Sequence, residues 1–145
     1  MNLTQRPPRS PGVRLGGYDI LSRLLDKSSA EIAGASGEYH YNCPLDRQFL
    51  QFTGTNAEAL KAEVAKGIGD GEVLIWITAH ATHQREPWVI AQWSAFRENA
   101  VPSDNEGRAD INAMIASNGG TNRDDLSTRF DAPDLDDYVS FGGKA

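Results

Sequence analysis

All three histidines and the only cysteine of this 145-residue chain fall in two short stretches, Tyr39-His40-Tyr41-Asn42-Cys43 and His80-Ala81-Thr82-His83-Gln84-Arg85-Glu86-Pro87-Trp88. On a helix, His80 and His83 would project from one face, and His40 and Cys43 repeat that spacing. Imidazole nitrogens and a thiolate are ligands that zinc, iron or copper accept, so His40, Cys43, His80 and His83 form a candidate metal set if the two stretches meet in space. The same residues permit two other chemistries. Cys43 could act as a nucleophile with His40 or His80 taking its proton, and His40 or His83 could work as an acid–base group oriented by Asp46 or Glu38. Each has a plainer counterpart: an isolated cysteine often packs as a small hydrophobe, and histidines near a helix C-terminus are favoured there by the helix dipole.

Tyr39, Tyr41, Trp76, Trp88 and Trp93 lie around the histidines in sequence, which suggests an aromatic-walled pocket for a small organic ligand. The candidate lining is Tyr39, His40, His80, His83, Arg85 and Trp88. Arg85 would either clamp a carboxylate or pair with Glu86 or Glu38. Core packing is the simpler role for the tryptophans. No serine stands in a Gly-x-Ser-x-Gly elbow and no glycine run matches a phosphate loop; Asp131 to Asp137 lacks the glycine and terminal glutamate of a calcium loop.

The elements that must position these groups read as helices. Pro7, Pro8 and Pro11 keep residues 1–17 an extended arm. Ile20, Leu21, Leu24, Leu25 and Ile32 share one face of a first helix that stops at Gly34. Phe49, Leu50 and Phe52 mark a short helix ending at Gly54. Thr55 with Glu58 forms a capping box for the next, with Ala57, Leu60 and Val64 facing inward. Asp70 is expected to cap the run Val73-Leu74-Ile75-Trp76-Ile77, which reads as helix rather than strand because the pattern continues through His80. Pro87 opens a deeply packed helix with Trp88, Ala91, Gln92, Ala95 and Phe96 on one face. Ser103 and Glu106 cap a helix holding Ile111, Met114 and Ile115, stopped at Asn118-Gly119-Gly120. Thr121 and Asp124 start a last helix with Leu126 and Phe130, leaving residues 131–145 as an acidic tail that adds at most a turn. The expectation is one all-α domain of six or seven helices, with residues 18–130 as its body.

At 39% hydrophobic the chain can bury a core without disulfides, and the one cysteine rules out an internal one. A net charge of -6 opposes broad contact with nucleic acid. The opening Met-Asn-Leu-Thr-Gln-Arg-Pro-Pro lacks the apolar run of a secretory signal and no stretch is apolar enough to span a membrane, so a cytoplasmic setting is expected. Arg6, Arg9 and Arg14 face an acidic far end containing Asp131, Asp134, Asp136 and Asp137, so the termini are expected to pair; the alternative is an arginine-lined anion site.

The segments Pro7-Pro8-Arg9-Ser10-Pro11, Leu15-Gly16-Gly17-Tyr18, Gly37-Glu38-Tyr39-His40-Tyr41-Asn42-Cys43-Pro44-Leu45-Asp46 and Leu135-Asp136-Asp137-Tyr138-Val139-Ser140-Phe141-Gly142-Gly143-Lys144 resemble a bacterial family known as domain of unknown function 5069. The resemblance implies a small helical protein and supplies no activity, cofactor or catalytic residue. Two functional classes follow from the residues themselves: a small-molecule or metal site at the His/Cys/aromatic stretches, or a non-catalytic module that binds a protein partner or a second copy.

Overall fold

A proline-stiffened arm runs over a helix that is buried on nearly every side. The computed structural model describes residues 1–118, 120 and 123–144; among them the chain forms seven helices and one isolated antiparallel bridge, Leu15 with Tyr18. The helices are α1 (Leu21–Ile32), α2 (Pro44–Thr53), α3 (Ala57–Val64), α4 (Asp70–His80), α5 (Pro87–Glu98), α6 (Asn105–Ser117) and α7 (Asp131–Ser140). The all-α expectation holds, and Val73 to Ile77 lie in helix α4.

Nine of the twelve residues of α1 are buried, the polar Ser22, Arg23, Asp26, Lys27 and Ser28 among them. Its apolar side, with Leu21, Leu24 and Leu25, joins Tyr18, Phe49, Leu60, Val73 and Ile77 in the main core. Its polar side is covered too, because each charge finds a partner from another element. Arg9 of the arm grips Asp26 through Nη2 and Nε at 2.8 and 3.0 Å and reaches Asp70 of α4 at 2.5 Å. Arg23 pairs with Asp137 of α7 at 2.6 Å, and Lys27 with Asp46 of α2 at 2.7 Å. Buried ions are costly to desolvate, so these pairs act as keys that accept one arrangement of arm, α2 and α7 around α1. A smaller core, Ile111 and Ile115 with Leu135, joins α6 to α7.

Several sequence expectations shift. Thr55 is buried against Thr53, so Asn56 caps α3 instead, accepting from Ala59 N–H at 2.9 Å. Asp70 is the first residue of α4 and is held by Arg9, while Glu72 reaches back to accept from Gly69 N–H. Asp104, rather than Ser103, caps α6 by accepting from Gly107 N–H at 2.8 Å. Thr121 and Gly119 lie outside the described residues, and Asp124 to Phe130 form turns rather than a helix. The expected acidic tail is α7: Asp131 accepts from the N–H groups of Ser127 and Thr128 and fixes the turn before it, and burial of Leu135 and Asp137 supplies the tertiary hold that a polar pattern does not announce.

The packing of α5 also differs from the expectation. Ile90, Ser94 and Arg97 face inward, whereas Trp88 is 62% and Phe96 76% exposed. Ser94 decides the orientation: its hydroxyl donates to the Gly17 carbonyl at 2.8 Å and accepts from Asp19 N–H at 3.0 Å. The expected pairing of the termini does not form: among the described residues, none of Arg6, Arg9 and Arg14 pairs with Asp131, Asp134, Asp136 or Asp137. Ser10 donates to Asp134 at 2.8 Å, while Arg14 pairs with Glu98, Arg9 with Asp26 and Asp70, and Arg6 meets Met1 Sδ, so two of the three arginines of the expected anion site are taken by carboxylates.

Candidate ligand-binding groove

The residues singled out by chemistry in the sequence go to separate places. Residues 80–85 form a clasp on the end of α2. His80 stacks on Trp76 with centroids 4.6 Å apart, and its Nδ1 lies 2.8 Å from the Trp76 carbonyl. His83 N–H donates to the Thr53 carbonyl, and Thr82 donates to that of Gly54. Gly54 has a positive φ of 66°, and a Cβ there would come within 2.9 Å of His83 Cδ2 and Thr82 Cβ, so the clasp needs a glycine. Arg85 donates to the Phe52 carbonyl at 3.1 Å and lies over the Phe52 ring; it pairs with neither Glu86 nor Glu38.

His40 is exposed on the loop before α2, and Trp88 faces outward at the start of α5. Tyr39 donates to Asp137 at 2.7 Å under the Arg23 guanidinium. Burial, then the bond to Asp137, raises its phenol above the ordinary range. Cys43 meets Lys27 at 3.2 Å and not a histidine. Among the described residues no group of three or more His, Cys, Asp or Glu side chains is placed to hold a metal, so the set His40, Cys43, His80 and His83 is not brought together.

Aromatic and charged groups do converge elsewhere, in a groove of about 510 Å³ between α2, α5 and the segment around residue 130. Leu45, Phe96, Val101 and Phe130 are among its apolar lining. Trp93 stacks on Phe52 at 4.4 Å, nearly parallel, which fixes one wall. The Arg97 guanidinium lies over Trp93 at 4.6 Å and over Phe130 at 5.7 Å, held between two rings. Its Nε donates to Asp19 at 2.9 Å and its Nη1 to Gln48, while Nη2 donates to no described residue. Arg129 adds a second guanidinium at the rim, loosely held by Ser103 at 3.4 Å.

Asp19 is fully buried behind Arg97, and its Oδ1 has no hydrogen-bond partner. The next residue, Ile20, has φ 64°, a strained value for a β-branched side chain, and it is held there by its N–H bond to the Pro11 carbonyl. Burial outweighs the attraction of Arg97 and raises the Asp19 carboxyl from 3.8 to about 6. Between those values the folded protein keeps a proton that the unfolded chain has released. The contribution of this group to stability therefore falls as pH rises from about 4 to about 6, by on the order of 3 kcal/mol. Urea midpoints between pH 4 and 7 should show this decline relative to Asp19→Asn; parallel curves for the two proteins would show that Asp19 titrates normally.

A family model described as a domain of unknown function, DUF5069, matches residues 5–139. The chain belongs to that family. No curated protein matches it. The DUF5069 match spans most of the arm, the keyed helix α1 and the groove alike, in keeping with a sequence resemblance carried by segments from the arm to the C-terminal end. No described helix of this DUF5069 protein is long and apolar enough to cross a membrane. The groove itself was missed in the sequence. Arg97 stands one helical turn beyond Trp93, a readable stacking pair, but Asp19, Gln48 and Phe130 come from distant segments.

Proposed function

We propose that this protein binds a small organic carboxylate with an aromatic or aliphatic body in the α2/α5 groove. The observation that carries this reading is Arg97, stacked between Trp93 and Phe130 with one guanidinium nitrogen left without a protein acceptor among the described residues. A guanidinium fixed in this way loses little freedom when it takes a carboxylate, and the rings supply apolar contact for the rest of the ligand. The groove lining contains no His, Cys, Asp, Glu or Lys, which favours binding over proton-transfer chemistry.

The test is a titration of isotope-labelled protein with phenylacetate and indole-3-acetate beside their neutral amides, following the tryptophan indole N–H signals by NMR. The carboxylates are expected to shift Trp93 and saturate. The amides should bind about 10- to 100-fold more weakly for loss of a charge-assisted bond. Arg129→Ala and Phe96→Ala should weaken binding without altering the spectrum elsewhere. Equal affinity for acid and amide, or no saturable shift, would sink the reading.

A second reading, a protein-interaction module, is favoured by the outer face of α5, where Trp88, Ala91, Gln92, Ala95 and Phe96 are all exposed and carry no charge. Trp88→Ala separates the two, because Trp88 lies on that face but outside the groove. It should leave carboxylate binding intact if the groove is the functional site.

A further inference from the structure

The sole cysteine is set against a buried amine. Lys27 Nζ, on a side chain only 4% exposed, lies 3.2 Å from Cys43 Sγ and 2.7 Å from Asp46 Oδ1. Asp46 is wholly buried, and its second oxygen, Oδ2, is sealed from solvent without a hydrogen-bond partner. Cys43 is half-buried, whereas the amine and carboxylate beside it are enclosed. The three come from two elements: Lys27 from the middle of α1, Cys43 and Asp46 from the N-terminal turn of α2.

We propose that Lys27 and Cys43 join through an oxygen atom when the protein is oxidised, forming a nitrogen–oxygen–sulfur bridge that locks α1 to the start of α2. With dioxygen as oxidant the step balances as one ammonium, one thiol and one dioxygen giving the bridge, one water and one proton. The S–H bond and two of the ammonium N–H bonds break, and S–O and N–O bonds form. One oxygen atom stays in the bridge and the other leaves as water. Sulfur and nitrogen each lose two electrons, and dioxygen takes all four. Two equivalents of hydrogen peroxide serve equally, leaving three waters.

The remaining proton needs an acceptor close to the amine, and the unpartnered Oδ2 of Asp46 supplies it. Oxidation thereby replaces a buried ammonium–carboxylate pair by a neutral bridge beside a neutral acid, which removes two charges from a poorly solvating place. A cysteine alone would travel the ordinary ladder from sulfenic to sulfinic acid; the amine at hydrogen-bonding distance intercepts it. The inference does not depend on the ligand reading above.

The experiment is intact-mass and tryptic peptide mass spectrometry on full-length protein, reduced or exposed to air or hydrogen peroxide. The bridge adds one oxygen and removes two hydrogens, blocks tryptic cleavage after Lys27 so that residues 24–47 stay one internally bridged peptide, and reverses with dithiothreitol. Cys43→Ser, which leaves Lys27 and Asp46 paired, should abolish it. Oxygen added with no hydrogens lost would mark simple sulfur oxidation, and hydrogens lost with no oxygen gained would mark a direct sulfur–nitrogen bond. Either result in the wild-type protein, or no change on oxidation, overturns the proposal.

Discussion

Asp137→Ala is expected to destabilise the protein by about 3–5 kcal/mol, the cost of leaving a buried charge without its partner. Asp137 accepts from Arg23 Nη1 at 2.6 Å and Nη2 at 3.2 Å, and from the Tyr39 hydroxyl at 2.7 Å. Both charged side chains are 7% exposed, so water cannot replace the lost carboxylate. The other bond from Arg23, to the Arg9 carbonyl at 3.2 Å, leaves its charge uncompensated. Urea unfolding followed by far-ultraviolet circular dichroism measures the effect. A double variant, Arg23→Met with Asp137→Leu, should recover much of the loss, because the penalty belongs to the orphaned charge more than to the missing attraction. A loss below about 1 kcal/mol for Asp137→Ala would mean that α7 detaches readily and the pair is solvated.

Phe49→Ala should cost a comparable 3–5 kcal/mol, by a different route. Phe49 is fully buried and meets Tyr18 edge to face, with centroids 5.2 Å apart and planes at 90°. Tyr18 in turn meets Phe52 edge-on at 6.4 Å, and Phe52 stacks on Trp93. The cavity therefore opens at the base of the aromatic series that forms one wall of the groove. The expected results are a lower urea midpoint and a changed tryptophan emission in the folded protein. Phe49→Leu should lose less than half as much, since it retains most of the buried volume. Similar losses for the two variants would indicate that the ring geometry, rather than the filled space, carries the stability.

Local signals in the chain were sufficient for most helices. Pro44 and Pro87 stand at the first positions of α2 and α5, and Gly54 ends α2 in a left-handed conformation. Caps slipped by one residue at Thr55 and Ser103 because Asn56 and Asp104 are equally good acceptors, and the hydroxyls of Thr55 and Ser103 are engaged by Thr53, two residues away, and by Arg129, 26 residues away. The histidines and the cysteine drew attention as rare reactive types, yet closeness in sequence placed them on a clasp, a loop and a helix start facing different neighbours. Helix α7 was illegible for the opposite reason: four aspartates resemble a solvated tail until one of them meets Arg23.

What the sequence by itself determined is the part of the fold that depends on neighbours a few residues apart: an all-α chain, an extended proline-rich arm, and the breaks at its glycines. Hydrophobic period, proline geometry and capping act over one or two turns, so they can be read along the chain. Only the tertiary structure decided which faces were inward and which charges were buried. Ser94 turned α5 so that Arg97, not Trp88, looks into the protein, and Arg9, Arg23 and Lys27 found carboxylates 17, 114 and 19 residues away. Desolvation makes the Arg23 and Lys27 pairs depend on enclosure by several elements at once, and no local pattern encodes an enclosure that exists only after the chain has folded.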